Sequence, residues 1–90
     1  MTVKYSPLLL KTLKKVDVRI RKSFKERILI FSKDPHDPVL NNHELREPLE
    51  GLRSIDITAE YRAIYEEIIA EKEQFAYFVG LGTHEELYGE

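Results

Sequence analysis

The sequence predicts an α+β domain: a twisted, mainly antiparallel four-stranded sheet packed on an N-terminal helical hairpin and closed by a short C-terminal helix. Three observations predict it. Helical spacing of apolar residues is confined to the first third, where Leu9, Leu10, Leu13 and Val16 are followed by Ile20, Phe24, Ile28 and Phe31. After residue 51 the pattern changes to short apolar runs at 52–57, 63–65 and 75–81, rich in Ile, Tyr and Phe. Between the two lies a stretch, 34–51, that holds three of the four prolines, so helices and strands are segregated rather than alternating. Ninety residues bound this to a single domain, 1–90, with one modest core.

Val3 and Tyr5 alternate with Thr2 and Lys4 as a short first strand. Ser6-Pro7 is a helix start, the hydroxyl capping and the proline occupying the first turn, and the helix is expected over 7–16 with Lys11, Lys14 and Lys15 on its outer side. Asp17 restarts the chain, and the second helix ends before Asp34-Pro35. Phe24 and Phe31 are read as core. Residues 34–51 form an irregular connection, the kind of segment on which functional groups tend to sit. Two strands meet across the break Thr58-Ala59-Glu60, a turn follows near 70–73, and the run 75–81 reads as a central strand buried on both sides. Thr83 and Glu86 stand at capping-box spacing, which puts His84 at the first position of a terminal helix.

The chain has no cysteine, so disulfides, thiolate nucleophiles and Cys-based zinc sites are excluded. The three histidines lack the spacing of a helical metal site, and neither metal nor cofactor is expected. Leu8-Leu9-Leu10 is cut short by Lys11, so no signal peptide or membrane span is read and a cytoplasmic location is expected. Net charge is −2, but it is unevenly divided. Residues 1–33 carry ten Lys/Arg against two acids, a net of +8, and residues 34–90 carry four against fourteen, a net of −10. A basic third of this kind suits nucleic acid or an acidic protein segment, or is the solvated face of two surface helices.

Arg53 and Arg62 are set into strand runs where a purely structural hairpin would carry Thr or Val. Period-2 alternation puts Arg53 with Ile55 and Ile57, and Arg62 with Ile64 and Glu66, so the sheet margin is a candidate anion surface. His36, in Asp-Pro-His-Asp-Pro, is explained by turn chemistry. His43 and His84 border elements beside the sheet and are expected to approach Arg62 from two sides. Two imidazoles flanking a guanidinium is the set that RNA transesterification needs: a base, an acid and a fixed cation for the phosphorane. Tyr61 and Tyr88 are candidate stacking platforms for bases, or rim aromatics.

The order of strand, helical hairpin, a connection with His-x-Leu, Gly-x-Arg, a Tyr-Arg-x-Ile-Tyr strand and a terminal Gly-x-His-x-x-Leu-Tyr resembles the RelE/ParE toxin superfamily of bacterial toxin–antitoxin systems. The C-terminal motif, residues 81–88, is most similar to the YafQ-like branch of ribosome-dependent mRNA endoribonucleases. The resemblance implies a RelE-like fold and a toxin that inhibits translation. It makes His43 the general base, His84 the general acid and Arg62 the phosphate clamp, with Arg53, Glu60, Tyr61 and Tyr88 binding substrate. It also implies a cognate antitoxin, ribosome and mRNA as partners, a toxin–antitoxin hetero-oligomer, and no membrane. Three family positions depart: a second histidine falls on Asp56, an aspartate on Glu60, and a second arginine on Gly82. Alternative functions are a ParE-like toxin that binds gyrase without chemistry, and an attenuated toxin acting as a corepressor.

Overall fold

The computed structural model describes residues 1–89. In chain order the elements are β1 (Thr2–Tyr5), α1 (Pro7–Lys15), α2 (Val18–Lys33), a 3-10 turn (Pro38–Leu40), β2 (His43–Glu44), β3 (Leu52–Asp56), β4 (Tyr61–Ala70), β5 (Glu73–Thr83) and α3 (His84–Tyr88). The helix starts follow the sequence. Ser6 Oγ accepts from Leu9 N at 3.0 Å with Pro7 at the first position, and Asp17 Oδ1 accepts from Arg19 N at 2.8 Å to begin α2.

The sheet has the order β1-β5-β4-β3-β2, with β1 parallel to β5 and every other pair antiparallel. It therefore has five strands rather than the expected four. The addition is the two-residue β2, which pairs His43 with Ser54 and Glu44 with Arg53 inside what reads as irregular connection. Such a short strand leaves no periodicity to detect.

Both helices cover one face of the sheet, and the core lies between them. Phe31 stacks edge-on to Phe78 and Tyr65 at 5.2 and 5.0 Å between ring centroids, and Phe24 meets Phe78 at 6.3 Å. Leu9, Leu40, Ile55, Ile57, Ala63 and Leu81 complete this layer. The two core phenylalanines were legible from helical spacing, since Phe24, Ile28 and Phe31 are all buried.

The opposite face is covered only at one end, by α3. This corrects the reading of the last strand. β5 lies inside the sheet, but Ala76 and Phe78 are buried toward the helices while Phe75 and Tyr77 on the far face stay half-exposed, with Lys4 Nζ 4.2 Å from the centre of the Phe75 ring. Register slips between Ile64 and Tyr65, whose partners are Gly80 and Phe78, leaving Val79 as the extra residue of a bulge. Among the described residues no helix is long and apolar enough to cross a membrane.

Candidate functional site

The register decides which side chains meet on the far face. Asp56 faces Arg62, Ser54 faces Ile64 and His43 faces Ser54, so these five residues share the side away from α1 and α2. On β5 the partners of Ile64 and Arg62 are Gly80 and Gly82, and their missing side chains let α3 lie against the sheet. A Cβ on Gly80 would sit 3.2 Å from Ile64 Cγ1, and one on Gly82 would sit 3.3 Å from Glu86 Cβ and 3.4 Å from Leu87 Cγ. The absence of a side chain at Gly82 is therefore what admits the close approach of the terminal helix.

A cleft of about 620 Å³ opens between the segment His43 to Leu49 and α3, which contributes His84, Leu87 and Tyr88, and Arg62 also lines it. Four of the seven residues singled out from the sequence, His43, Arg62, His84 and Tyr88, thus line one cleft.

His43 is positioned by the turn before it. Asn41 takes a left-handed conformation at the end of the 3-10 turn, with φ 48°, and its carbonyl oxygen lies 2.8 Å from His43 Nδ1. A carbonyl only accepts, so Nδ1 carries the proton and the lone pair of the neutral ring is on Nε2. His84 opens α3 as its spacing predicts: Glu86 N donates to Thr83 Oγ1 at 3.1 Å, and Thr83 N donates to Glu86 Oε1 at 2.8 Å. The His84 ring meets Tyr88 edge-on at 4.4 Å, and the Tyr88 hydroxyl donates to Ser54 Oγ at 3.0 Å. The helix, its histidine and the sheet are linked through that one tyrosine.

Arg62 is held back into the turn that precedes it. Nη1 donates to the carbonyls of Thr58, Tyr61 and Ala59 at 2.9, 3.1 and 3.2 Å, and Nε lies 3.0 Å from Asp56 Oδ1. That carboxylate oxygen is buried yet accepts no hydrogen bond, because the close approach of Nε is off the N–H axis. The contact is an ion pair without the directional part of a hydrogen bond.

Arg53 lies on the opposite face, with Nε and Nη1 both engaged. Its Nε donates to Asn42 Oδ1 at 2.8 Å and pairs with Glu67 at 3.6 Å, while Nη1 pairs with Glu44 at 3.3 Å. Asn42 in turn donates to Pro35 O at 2.8 Å and to the Tyr65 hydroxyl at 2.7 Å, so Arg53 braces the connection against the sheet. Burial raises the Tyr65 phenol above its ordinary value, against the opposing pull of the Asn42 hydrogen bond. Tyr61 pairs with Thr83 and packs against the helix-side core, and Glu60 is exposed in the β3–β4 turn, so neither lines the cleft. Arg46 does line it, a second guanidinium that the sequence did not single out. Only its place three residues after His43, in the segment that lines the cleft with Arg62, could have marked it. Among the described residues no group of three or more His, Asp or Glu is arranged to hold a metal.

A helix-backed, mostly antiparallel sheet with a short terminal helix across its open face defines the RelE-like α+β class. The model of the ParE toxin of type II toxin-antitoxin systems, parDE, matches residues 3–88, and the chain belongs to that family. Its fold is similar to a YoeB/ParE toxin from Agrobacterium tumefaciens (20% identity, 93% of this chain and 99% of that chain, TM-score 0.74). It is also similar to YafQ from E. coli (22% identity, 97% of each chain, TM-score 0.76). A toxin-antitoxin complex from Mycobacterium tuberculosis contains a third similar chain (20% identity, 92% of this chain and 96% of that chain, TM-score 0.62). No curated protein sequence matches the chain.

Proposed function

We propose that this toxin is a ribosome-dependent mRNA endoribonuclease, neutralised in the cytoplasm by a cognate antitoxin. The observation that carries the reading is the convergence of two imidazoles, His43 and His84, with the Arg62 guanidinium in one open cleft. His43 Nε2 takes the proton of a ribose 2′-hydroxyl, whose oxygen attacks the adjacent phosphorus. The charge that grows on the phosphorane is met by Arg62, and His84 protonates the departing 5′-oxygen, leaving a 2′,3′-cyclic phosphate on one fragment and a 5′-hydroxyl on the other. Tyr88, edge-on to His84, offers a ring face to a neighbouring base. An acidic amphipathic segment of the antitoxin docks on the basic α1–α2 hairpin and runs on to the sheet to cover Arg62. The similarity to the M. tuberculosis toxin-antitoxin complex supports such a partner.

A second reading is gyrase inhibition without chemistry, favoured by the ParE family match and by an Arg62 whose donors are largely engaged. Primer extension on translated mRNA after induction separates the two. Cuts at codon boundaries that depend on ribosomes support the nuclease, whereas intact transcripts together with altered plasmid supercoiling support gyrase as the target.

A further inference from the structure

We infer that Asp56 is a built-in counter-anion of Arg62, so that a phosphate grips the Nε and Nη2 groups of Arg62 together only by displacing the Asp56 carboxylate. This rests on the reading of Arg62 as the phosphate-binding group of the cleft and adds how that group is restrained.

The geometry of the pair carries the inference. Asp56 and Arg62 are direct cross-strand partners, Nε lies 3.0 Å from Oδ1, and both side chains are mostly shielded, at 28% and 21% exposure. Arg62 lines the cleft while Asp56 stands behind it, outside the lining. A guanidinium binds two phosphate oxygens at once either through Nε with Nη2 or through Nη1 with Nη2. Both forks are half occupied here, the first by Asp56 and the second by the carbonyls of Thr58, Ala59 and Tyr61.

The carbonyls hold Nη1 with hydrogen-bond geometry, but Asp56 Oδ1 is close without being aligned. Of the two holds, the carboxylate's is the one that an incoming anion can exchange. A phosphodiester with a single negative charge competes poorly with a carboxylate already in contact. The phosphorane, with a second charge on its equatorial oxygens, competes well. Asp56 therefore suppresses ground-state binding more than transition-state binding, which is the direction that favours turnover over product retention. It acts through Arg62 and is a positioning residue.

The test compares wild type with Asp56→Asn and Asp56→Ser, following the Arg62 Nε–H resonance by NMR during titration with inorganic phosphate and, separately, with a short RNA carrying a 2′-deoxy residue at the scissile position. Asn keeps the shape of the side chain and an oxygen beside Nε while removing the charge. Both variants are expected to bind both probes on the order of tenfold more tightly than wild type, the scale of losing one nearby like charge. The gain disappears when Arg62→Ala is added to Asp56→Asn. In cleavage assays on translated mRNA, Asp56→Asn lowers KM with kcat unchanged or reduced. Equal affinities in wild type and both variants overturn the inference, as does an Arg62 resonance that no probe shifts in any of them. A tenfold gain in phosphate affinity with no cleavage by any variant leaves the counter-anion standing and removes the nuclease reading.

Discussion

The Tyr88 hydroxyl donates a 3.0 Å hydrogen bond to the buried hydroxyl of Ser54, tying the last helix to the middle of β3 while the same ring braces His84. Tyr88→Phe keeps the ring and its edge contact but removes the tether. A single neutral hydrogen bond contributes about 1 kcal/mol, which in a domain of this size lowers Tm by about 4–8 °C. Toxicity is expected to fall further than stability, because α3 has only five residues and the tyrosine that makes this contact also meets the His84 ring. Thermal melts run beside growth assays check both, and an unchanged growth defect at normal expression means that the tether does not position His84.

His84→Ala and His43→Ala should each abolish toxicity with the fold intact. Both residues are exposed, and substitutions at such surface positions stay within about 0.5 kcal/mol, whereas loss of a general acid or base costs about 10²- to 10⁴-fold in rate. His36→Ala is the matched control, since His36 is also exposed and its backbone N–H is held by Asp34 Oδ1 at 3.0 Å. Full toxicity of either the His43 or the His84 variant at matched expression removes that histidine from the proposed mechanism.

Those two histidines illustrate what the chain makes legible. Capping-box spacing located His84 at the start of α3, because a cap is a local interaction between residues three apart. The elements around the core were legible for the same reason, as apolar periodicity is local. The face a strand residue points to was also readable, and the predicted company of Arg53 with Ile55 and Ile57, and of Arg62 with Ile64, is what the register shows. What alternation could not tell was which of the two faces lies under the helices. Arg53 is on that face, engaged by Asn42, Glu44 and Glu67, and Tyr61 follows it there. The pairing of Asp56 with Arg62 depends on the exact register of the β3–β4 hairpin, and the arrival of Arg46 in the cleft on a loop fold, neither of which alternation alone encodes.

Arg62→Lys will not behave as a conservative change. Lysine keeps a charge beside Asp56 but lacks the planar fork, and one ammonium cannot reproduce the three carbonyl contacts of Nη1 while also facing a phosphate. The cleavage rate is expected to drop about as far as in Arg62→Ala, with about 1–2 kcal/mol lost from the turn as well. Single-turnover cleavage and urea denaturation measure the two effects. A lysine variant cleaving at the wild-type rate means that charge alone suffices.

Asn42 is the structural counterpart of the cleft residues. Its amide makes three hydrogen bonds, to Pro35 O, the Tyr65 hydroxyl and Arg53 Nε, and so pins the connection that carries His43. Asn42→Ala is expected to cost about 2–3 kcal/mol, the sum of three modest bonds of which one is charge-assisted. The urea midpoint should fall accordingly. A loss below about 0.5 kcal/mol would mean that water replaces all three partners.

The basic hairpin makes a prediction about association. Its charge is not all available: Arg21 Nη1 donates to the carbonyls of Leu13 and Lys14, and Arg27 Nη1 donates to Val39 O at 2.7 Å, whereas Arg19, though beside Asp17, is 89% exposed. Lys22 and Lys25 remain exposed on α2, on a helix that also leaves Val18 and Leu29 64% and 66% exposed. Exposed cations beside uncovered aliphatic side chains fit an acidic amphipathic segment, in which charge steers the encounter and apolar burial holds the complex. Raising salt should then slow association more than it speeds release. Replacing Arg19, Lys22 and Lys25 by Ser should flatten that salt dependence, whereas Leu29→Ser should raise the dissociation rate and leave the salt dependence of association in place. Association rates with the antitoxin at two salt concentrations, for wild type and both variants, measure each term separately. If the triple variant keeps the wild-type salt slope, these charges are a solvated face and the antitoxin docks elsewhere.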